Sequence, residues 1–310
     1  MDQSFVVIML AGALQPCPLQ QQLPIPLLCL PIGRRGSLLD AWLATIGRSG
    51  KCRQCRRVEI VVSTEDDVHA LRGLTAQRMR TGSQSPTIAV TVERASWRGS
   101  AGLLRDVAGS IGDNEIVVAI EAHCLPPPSL EPLLQALNGD VKAVVGAGVE
   151  DEPAGVYAFR HAALNSVRPI GYVDLKEQLL PALYSQGTPV RLVRIGEHVI
   201  RLRDQIGYLD AVSTSLNGMG QATMVSRRSS EAMIARSARI VSGSIVERGA
   251  VIEDQAIIHG SIVLNEAVVE SGAIVSRSIV GPRAVVPARA RLIASYQRGN
   301  DSVRPKAMAI

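Results

Sequence analysis

Cys52 and Cys55 form a Cys-x-x-Cys pair, the half-set from which tetrahedral zinc sites are built. A complete set needs a second pair, and the other three cysteines do not supply one: Cys17 and Cys29 fall in a Pro-rich stretch and Cys124 stands alone. A solvated loop explains the pair better. The same segment carries Arg48, Lys51, Arg53, Arg56 and Arg57, which could hold a phosphate or an acidic partner, or could simply be a charged connection between a helix and a strand. Arg34 and Arg35 form a second basic pair just after the Pro-rich stretch. Glu121 and His123 close an apolar run, where the imidazole could act as a general base, and the burial of Glu121 beside it bears on that role.

These groups are positioned by alternating apolar runs and helical segments. Residues 5–10 are continuously apolar, as in a strand buried on both faces. A Pro-rich loop over 12–33 leads to a helix over 37–46. Strands are predicted at 58–64, 87–93, 115–120, 141–148, 155–159 and 190–195, and helices at 66–79, 101–111, 129–138 and 174–186, the last ended by Gly187. Strands alternating with helices predict an α/β sandwich with a mainly parallel sheet over residues 1–211.

The C-terminal third follows a different rule. An aliphatic residue recurs at Val241, Val246, Ile252, Ile258, Val263, Val269, Val275, Val280, Val286 and Leu292, in steps of five, six and six. Two residues before these positions stand Ser244, Ser261 and Ser278 on the five-residue steps, and Ala250, Ala256, Ala267, Ala273, Ala284 and Ala290 on the six-residue steps. A period of 17 in three parts describes a triangular coil with small residues near its corners. It predicts a left-handed parallel β-helix of three coils over 237–295, after a linker over 212–236 that could be partly helical from Ser229, and before a tail over 296–310.

The chain is 46% hydrophobic, as a globular protein is, and its net charge of +5 allows anionic ligands without arguing for nucleic acid. Five cysteines without regular spacing suggest a reducing, cytoplasmic setting. No apolar run reaches membrane-spanning length, and the opening segment reads as a first strand rather than a signal peptide.

Four ordered segments carry a resemblance: residues 6–43, residues 97–108 (WRGSAGLLRDVA), residues 153–159 (PAGVYAF) and residues 171–211. Followed by a hexapeptide repeat, they resemble the sugar-phosphate nucleotidyltransferases, or NDP-sugar pyrophosphorylases, with mannose-1-phosphate guanylyltransferase and glucose-1-phosphate adenylyltransferase nearest in layout. The resemblance implies a Rossmann-like α/β/α sandwich of the GT-A type and a reaction joining a nucleoside triphosphate to a sugar 1-phosphate. Such chemistry rests on positioning and charge neutralisation: a Gly-rich loop, an Arg and a Lys on the phosphates, and carboxylates on Mg²⁺.

Here the signature loop keeps Gly12, but Ala13 and Gln15 stand near the other glycines, Cys17 near the Arg, and Ile25 in place of the Lys of Pro-Lys-Pro. His123 aligns with one metal Asp and Arg201 with the other, leaving Glu121 and Asp204 as the nearby carboxylates; Arg34 and Arg35 could partly replace the lost cations. Gly99, Ser100, Ala101 and Gly102 match the segment beside the base. The resemblance thus implies a pseudoenzyme: a regulatory or scaffolding subunit of sugar-nucleotide or polysaccharide metabolism. It could bind a nucleotide or NDP-sugar, with Mg²⁺ only if turnover survives. It would form a homo-oligomer, or a hetero-oligomer with an active paralogue, through the β-helix. Two alternatives are an active divergent nucleotidyltransferase and a structural interaction protein without ligand. His259, at a β-helix turn, matches a general-base position in hexapeptide acyltransferases, but three coils are few for that reaction.

Overall fold

Six consecutive apolar side chains make Phe5–Leu10 a strand buried on both faces, and this β1 is an interior strand of a seven-stranded sheet. The computed structural model describes residues 4–12, 17–23, 25–33, 36–49, 54–78, 86–93, 96–112, 115–217, 226–241 and 243–299. β1 pairs in parallel with β2 (Cys55–Val62) on one side and with β4 (Ile116–Glu121) on the other; β2 pairs with β3 (Thr87–Val92). Beyond β4 come β6 (Pro153–Arg160), β5 (Ala143–Ala147) and β7 (Val190–Arg194), giving the order β3-β2-β1-β4-β6-β5-β7. Among the described residues β6 alone runs against the rest of this sheet. The sheet is therefore mixed, as expected for a mainly parallel α/β fold.

The helices are α1 (Pro18–Gln22), α2 (Leu38–Arg48), α3 (Glu65–Arg78), α4 (Gly99–Ala108), α5 (Glu131–Ala136), α6 (His161–Leu164), α7 (Leu180–Ser185) and α8 (Gln205–Asn217). Leu103 and Leu104 of α4 pack with Ile8, Leu10, Val117 and Ala119 in one apolar core.

Three elements differ from expectation. Part of the Pro-rich loop is helical: Pro18 opens α1, where a missing N–H costs nothing, and the Gln20 side chain accepts the Cys17 backbone N–H at 3.1 Å. The helix expected over 174–186 begins as a π-helical turn, Leu175–Leu179, in which the Leu179 N–H reaches back five residues to the Asp174 carbonyl. Pro181 has no N–H to continue an α-helical ladder at this point, and the wider turn accommodates it. The linker expected from 212 begins instead inside α8.

The C-terminal region consists of two- and three-residue strands stacked into three parallel sheets of four, five and four strands. From the second rung on, neighbours along a stack are 17 residues apart, as in Ile258↔Val275↔Leu292, an arrangement compatible with a parallel β-helix. Stacking begins earlier than the repeat predicts: Arg227–Arg228 (β8) pairs with Ile245–Val246 (β11), and Met233–Ile234 (β9) with Val251–Ile252 (β12). No helix begins at Ser229. In the first rung Ile240, not Val241, pairs with Ile258, because one extra residue lies between it and the next strand. Val246, Ile252, Val263, Val269, Val280 and Val286 form the buried axis with the corner alanines.

The distinction between Ser and Ala corners has a hydrogen-bonding cause. On six-residue steps the alanine N–H closes a tight turn onto the carbonyl three residues back, as Ala267 does to Leu264 at 3.2 Å. A five-residue step is too short for that turn. There the serine N–H is accepted by the serine Oγ one rung earlier: Ser261 N to Ser244 Oγ at 3.3 Å, and Ser278 N to Ser261 Oγ at 3.0 Å. Each Oγ in turn donates to a nearby carbonyl, Ser261 to His259 at 2.7 Å.

By contact density the chain divides into two compact units. The first comprises 1–16, 26–29 and 39–199; the second comprises 17–25, 30–38 and 200–310. No helix among the described residues is long and apolar enough to cross a membrane.

Candidate functional site

In an open α/β sheet, ligands bind beyond the carboxyl ends of the strands where the chain's winding reverses direction. Here that point lies between β1 and β4: β2 and β3 follow β1 outward on one side, and β4 starts the other. Leu10 pairs with Glu121 there, so Gly12 and Glu121–His123 stand at and just beyond the carboxyl ends of β1 and β4 at this point. Gly12 lies against the end of β2; an added Cβ would fall 2.5 Å from the Val62 carbonyl carbon, so no larger residue fits.

Glu121 is 3% exposed. Its Oε1 accepts the Tyr157 hydroxyl at 3.0 Å and the Lys176 ammonium at 2.6 Å, which together offset the cost of burying a carboxylate. Its Oε2 lies 3.6 Å from His123 Nε2 and, though buried, has no hydrogen-bond partner among the described residues. After Glu121 the chain turns, the Cys124 N–H donating to the Glu121 carbonyl at 3.1 Å. In an extended strand residues 123 and 124 would face opposite ways; the turn instead brings Glu121, His123 and Cys124 together, with their ligating atoms all within 4.8 Å of one another. Trp42 of α2 pins this turn by donating Nε1–H to the Cys124 carbonyl at 3.1 Å. Across from it Gly155, at φ +72°, provides space: a Cβ there would sit 2.5 Å from Cys124 Sγ and 3.3 Å from Glu121 Oε2.

The segment Gly99–Gly102 starts α4. Gly99 has φ +73°, and a Cβ would fall 2.7 Å from the Val173 carbonyl. That carbonyl accepts the N–H groups of both Ala101 and Gly102. Ser100 Oγ donates to Asp174 at 2.9 Å and accepts the Leu175 N–H at 2.8 Å. Beneath, the buried Arg98 guanidinium forks onto Asp106 at 2.7 and 3.0 Å and donates to the Gly171 and Arg168 carbonyls. These groups join α4 to the segment 168–175.

The other candidates separate. Asp204 belongs to the second unit, where its Oδ1 caps α8 by accepting the Gly207 N–H at 2.8 Å. Arg34, Arg35 and Cys52 lie outside the described residues. Cys55 starts β2 with a buried thiol whose pKa burial pushes up to about 12; the protonated form is a poor metal ligand. Of the basic cluster, Arg56 and Arg57 lie in β2 rather than in a loop and pair with Glu115 at 3.0 Å and Glu59 at 2.6 Å, Arg48 ends α2 and donates to Thr45 and Pro128, and Lys51 and Arg53 lie outside the described residues. His259 Nδ1 lies 3.4 Å from Ser276 Oγ on an exposed stack.

Mg²⁺ demands near-octahedral oxygen ligation. The cluster at Glu121 offers one free carboxylate oxygen, an imidazole and a thiol, a set that does not fit Mg²⁺. Lys176, Tyr157 and Cys124 escaped the sequence reading. For Cys124 a signal existed in the run Glu121-x-His123-Cys124; Lys176 and Tyr157 arrive from distant positions with no spacing to mark them. No protein-family model matches the sequence, and no curated protein matches it.

Proposed function

We propose that this chain is a nucleotidyltransferase-like protein without turnover, acting as a regulatory or scaffolding subunit in sugar-nucleotide or polysaccharide metabolism. In this reading the crevice at Gly12 and Glu121 receives a nucleotide or NDP-sugar, and the C-terminal stacks form a left-handed β-helix whose edges join a second copy or an active paralogue. The observation that carries it is the state of Glu121. The carboxylate at the switch point is buried against Lys176 and Tyr157, with His123 and Cys124 where an oxygen-ligated metal would need further carboxylates. The sheet order, with one reversed strand beyond β4, and the stacked parallel strands after it support the family layout.

The test is a thermal-shift panel of nucleoside triphosphates and NDP-sugars, with and without added Mg²⁺. A ligand at 100 times its Kd stabilises by roughly 2.7 kcal/mol, and a shift independent of Mg²⁺ is expected. Pyrophosphate release that survives purification and disappears in Glu121→Gln would sink the reading. It would favour an active divergent enzyme, for which Lys176, a partly exposed cation at the crevice, is the supporting feature. Silence across the whole panel would favour an interaction protein without ligand.

A further inference from the structure

We propose that Glu121, His123 and Cys124 form a binding site for a single thiophilic divalent ion of the zinc class. The three donors are a carboxylate oxygen, an imidazole nitrogen and a thiol sulfur, all on buried residues, and zinc accepts each of them. Bond lengths of about 2.0–2.3 Å in a tetrahedron place donors about 3.3–3.6 Å apart. The observed 3.6 Å between Glu121 Oε2 and His123 Nε2 already meets this, and the 4.8 Å limit on the set leaves a contraction of about 1 Å for the thiol.

A second observation points the same way. Glu121 Oε2 is buried without a hydrogen-bond partner among the described residues, a costly state for a carboxylate oxygen unless something binds it. The other oxygen is held by Tyr157 and Lys176, so Oε2 is fixed in orientation, as outer-shell partners fix metal ligands. Gly155 keeps the space beside Cys124 Sγ and Oε2 open, where any side chain would intrude. Zinc with the Lys176 ammonium would carry three positive charges against the two of carboxylate and thiolate, and the one positive charge left over suits an anionic oxygen in the fourth position of the tetrahedron. This site does not depend on nucleotide binding.

The experiment titrates the full-length chain, freed of metal by a chelator, with Co²⁺. The expected result is saturation at one equivalent, with the visible absorption of four-coordinate Co²⁺ and an ultraviolet thiolate-to-cobalt band, both erased by one equivalent of Zn²⁺. Cys124→Ser should abolish the thiolate band. It should weaken binding beyond the roughly 100-fold upper end that loss of an outer-shell partner costs, while Lys176→Met should stay within about 10–100-fold and keep the band. The double variant Cys52→Ser/Cys55→Ser should retain both signals. Far-ultraviolet circular dichroism confirms that each variant is folded. A folded wild-type chain with no cobalt spectrum at equimolar metal overturns the proposal, as does a thiolate band that persists in Cys124→Ser or vanishes in the double variant. The wild-type spectrum decides even if a variant fails to fold.

Discussion

At the scale of single residues, burial sets what each cysteine can do. Cys55 and Cys124 are both enclosed, but Cys55 faces the start of β2 and donates to the Arg57 carbonyl, whereas Cys124 faces an imidazole and a carboxylate. Burial lifts the Cys55 thiol from its ordinary 9.0 to about 12. The unfolded chain therefore releases this proton as pH rises past the ordinary value, while the folded chain keeps it. The contribution to stability is complete below that value and is lost between there and about 12, at about 1.4 kcal/mol per pH unit. Urea unfolding of wild type and Cys55→Ala from roughly pH 8 to 11 should show a flatter alkaline decline in the variant. Equal slopes would mean that the thiol is not shielded. Glu121 was visible in the sequence as a candidate through the resemblance, as a carboxylate beside the position aligned with a metal Asp. Its neighbours Lys176 and Tyr157 were not, since only the pairing of β4 with β6 and the π-helical turn Leu175–Leu179 bring them there.

At the scale of elements, legibility followed locality. The apolar runs of β1 and β4 are strands because their own residues suffice, and the 17-residue period announces stacked strands without tertiary information. What failed to show was structure set by hydrogen bonds that no periodicity records. These are α1 inside a Pro-rich stretch, the π-helical turn ahead of Pro181, and the first rung at β8 and β9, where Arg228 stands in the aliphatic place and one extra residue before Val246 puts Ile234 and Ile240 out of the five-six-six register. The Ser corners make a test of this kind of bond. Ser261→Ala leaves the Ser278 N–H without its acceptor inside a buried stack, and should destabilise by about 1–2 kcal/mol in chemical denaturation. The reverse change at a six-residue corner, Ala267→Ser, gains no such bond, since the Ala267 N–H is already closed onto Leu264. Stabilisation by Ala267→Ser would refute this account of the corners.

At the scale of the whole molecule, the division of contacts does not follow the chain. Segments 17–25 and 30–38 belong with residues 200–310: the Tyr208 hydroxyl donates to the Pro31 carbonyl at 2.9 Å, Arg227 donates to the Gly33 and Gly36 carbonyls, and the Leu19 N–H donates to Arg203. A fragment ending at residue 211 cuts α8 before the buried Val212 and Leu216 and removes Arg227 altogether. Limited proteolysis of that fragment should cut between residues 17 and 38 on the order of tenfold faster than in the full chain. Equal rates would mean that these segments are held without residues 212–310. The same interleaving bears on synthesis at the ribosome. The stretch 17–38 leaves the exit tunnel before its partners exist, since Tyr208 and Arg227 are encoded 177 to 194 residues after the carbonyls they bind, a delay of about 10–40 s at ordinary elongation rates. For that interval Leu19, Leu23 and Leu30, all buried at the end, have no finished surface to cover them, the kind of transient apolar exposure that makes a nascent chain prone to aggregate.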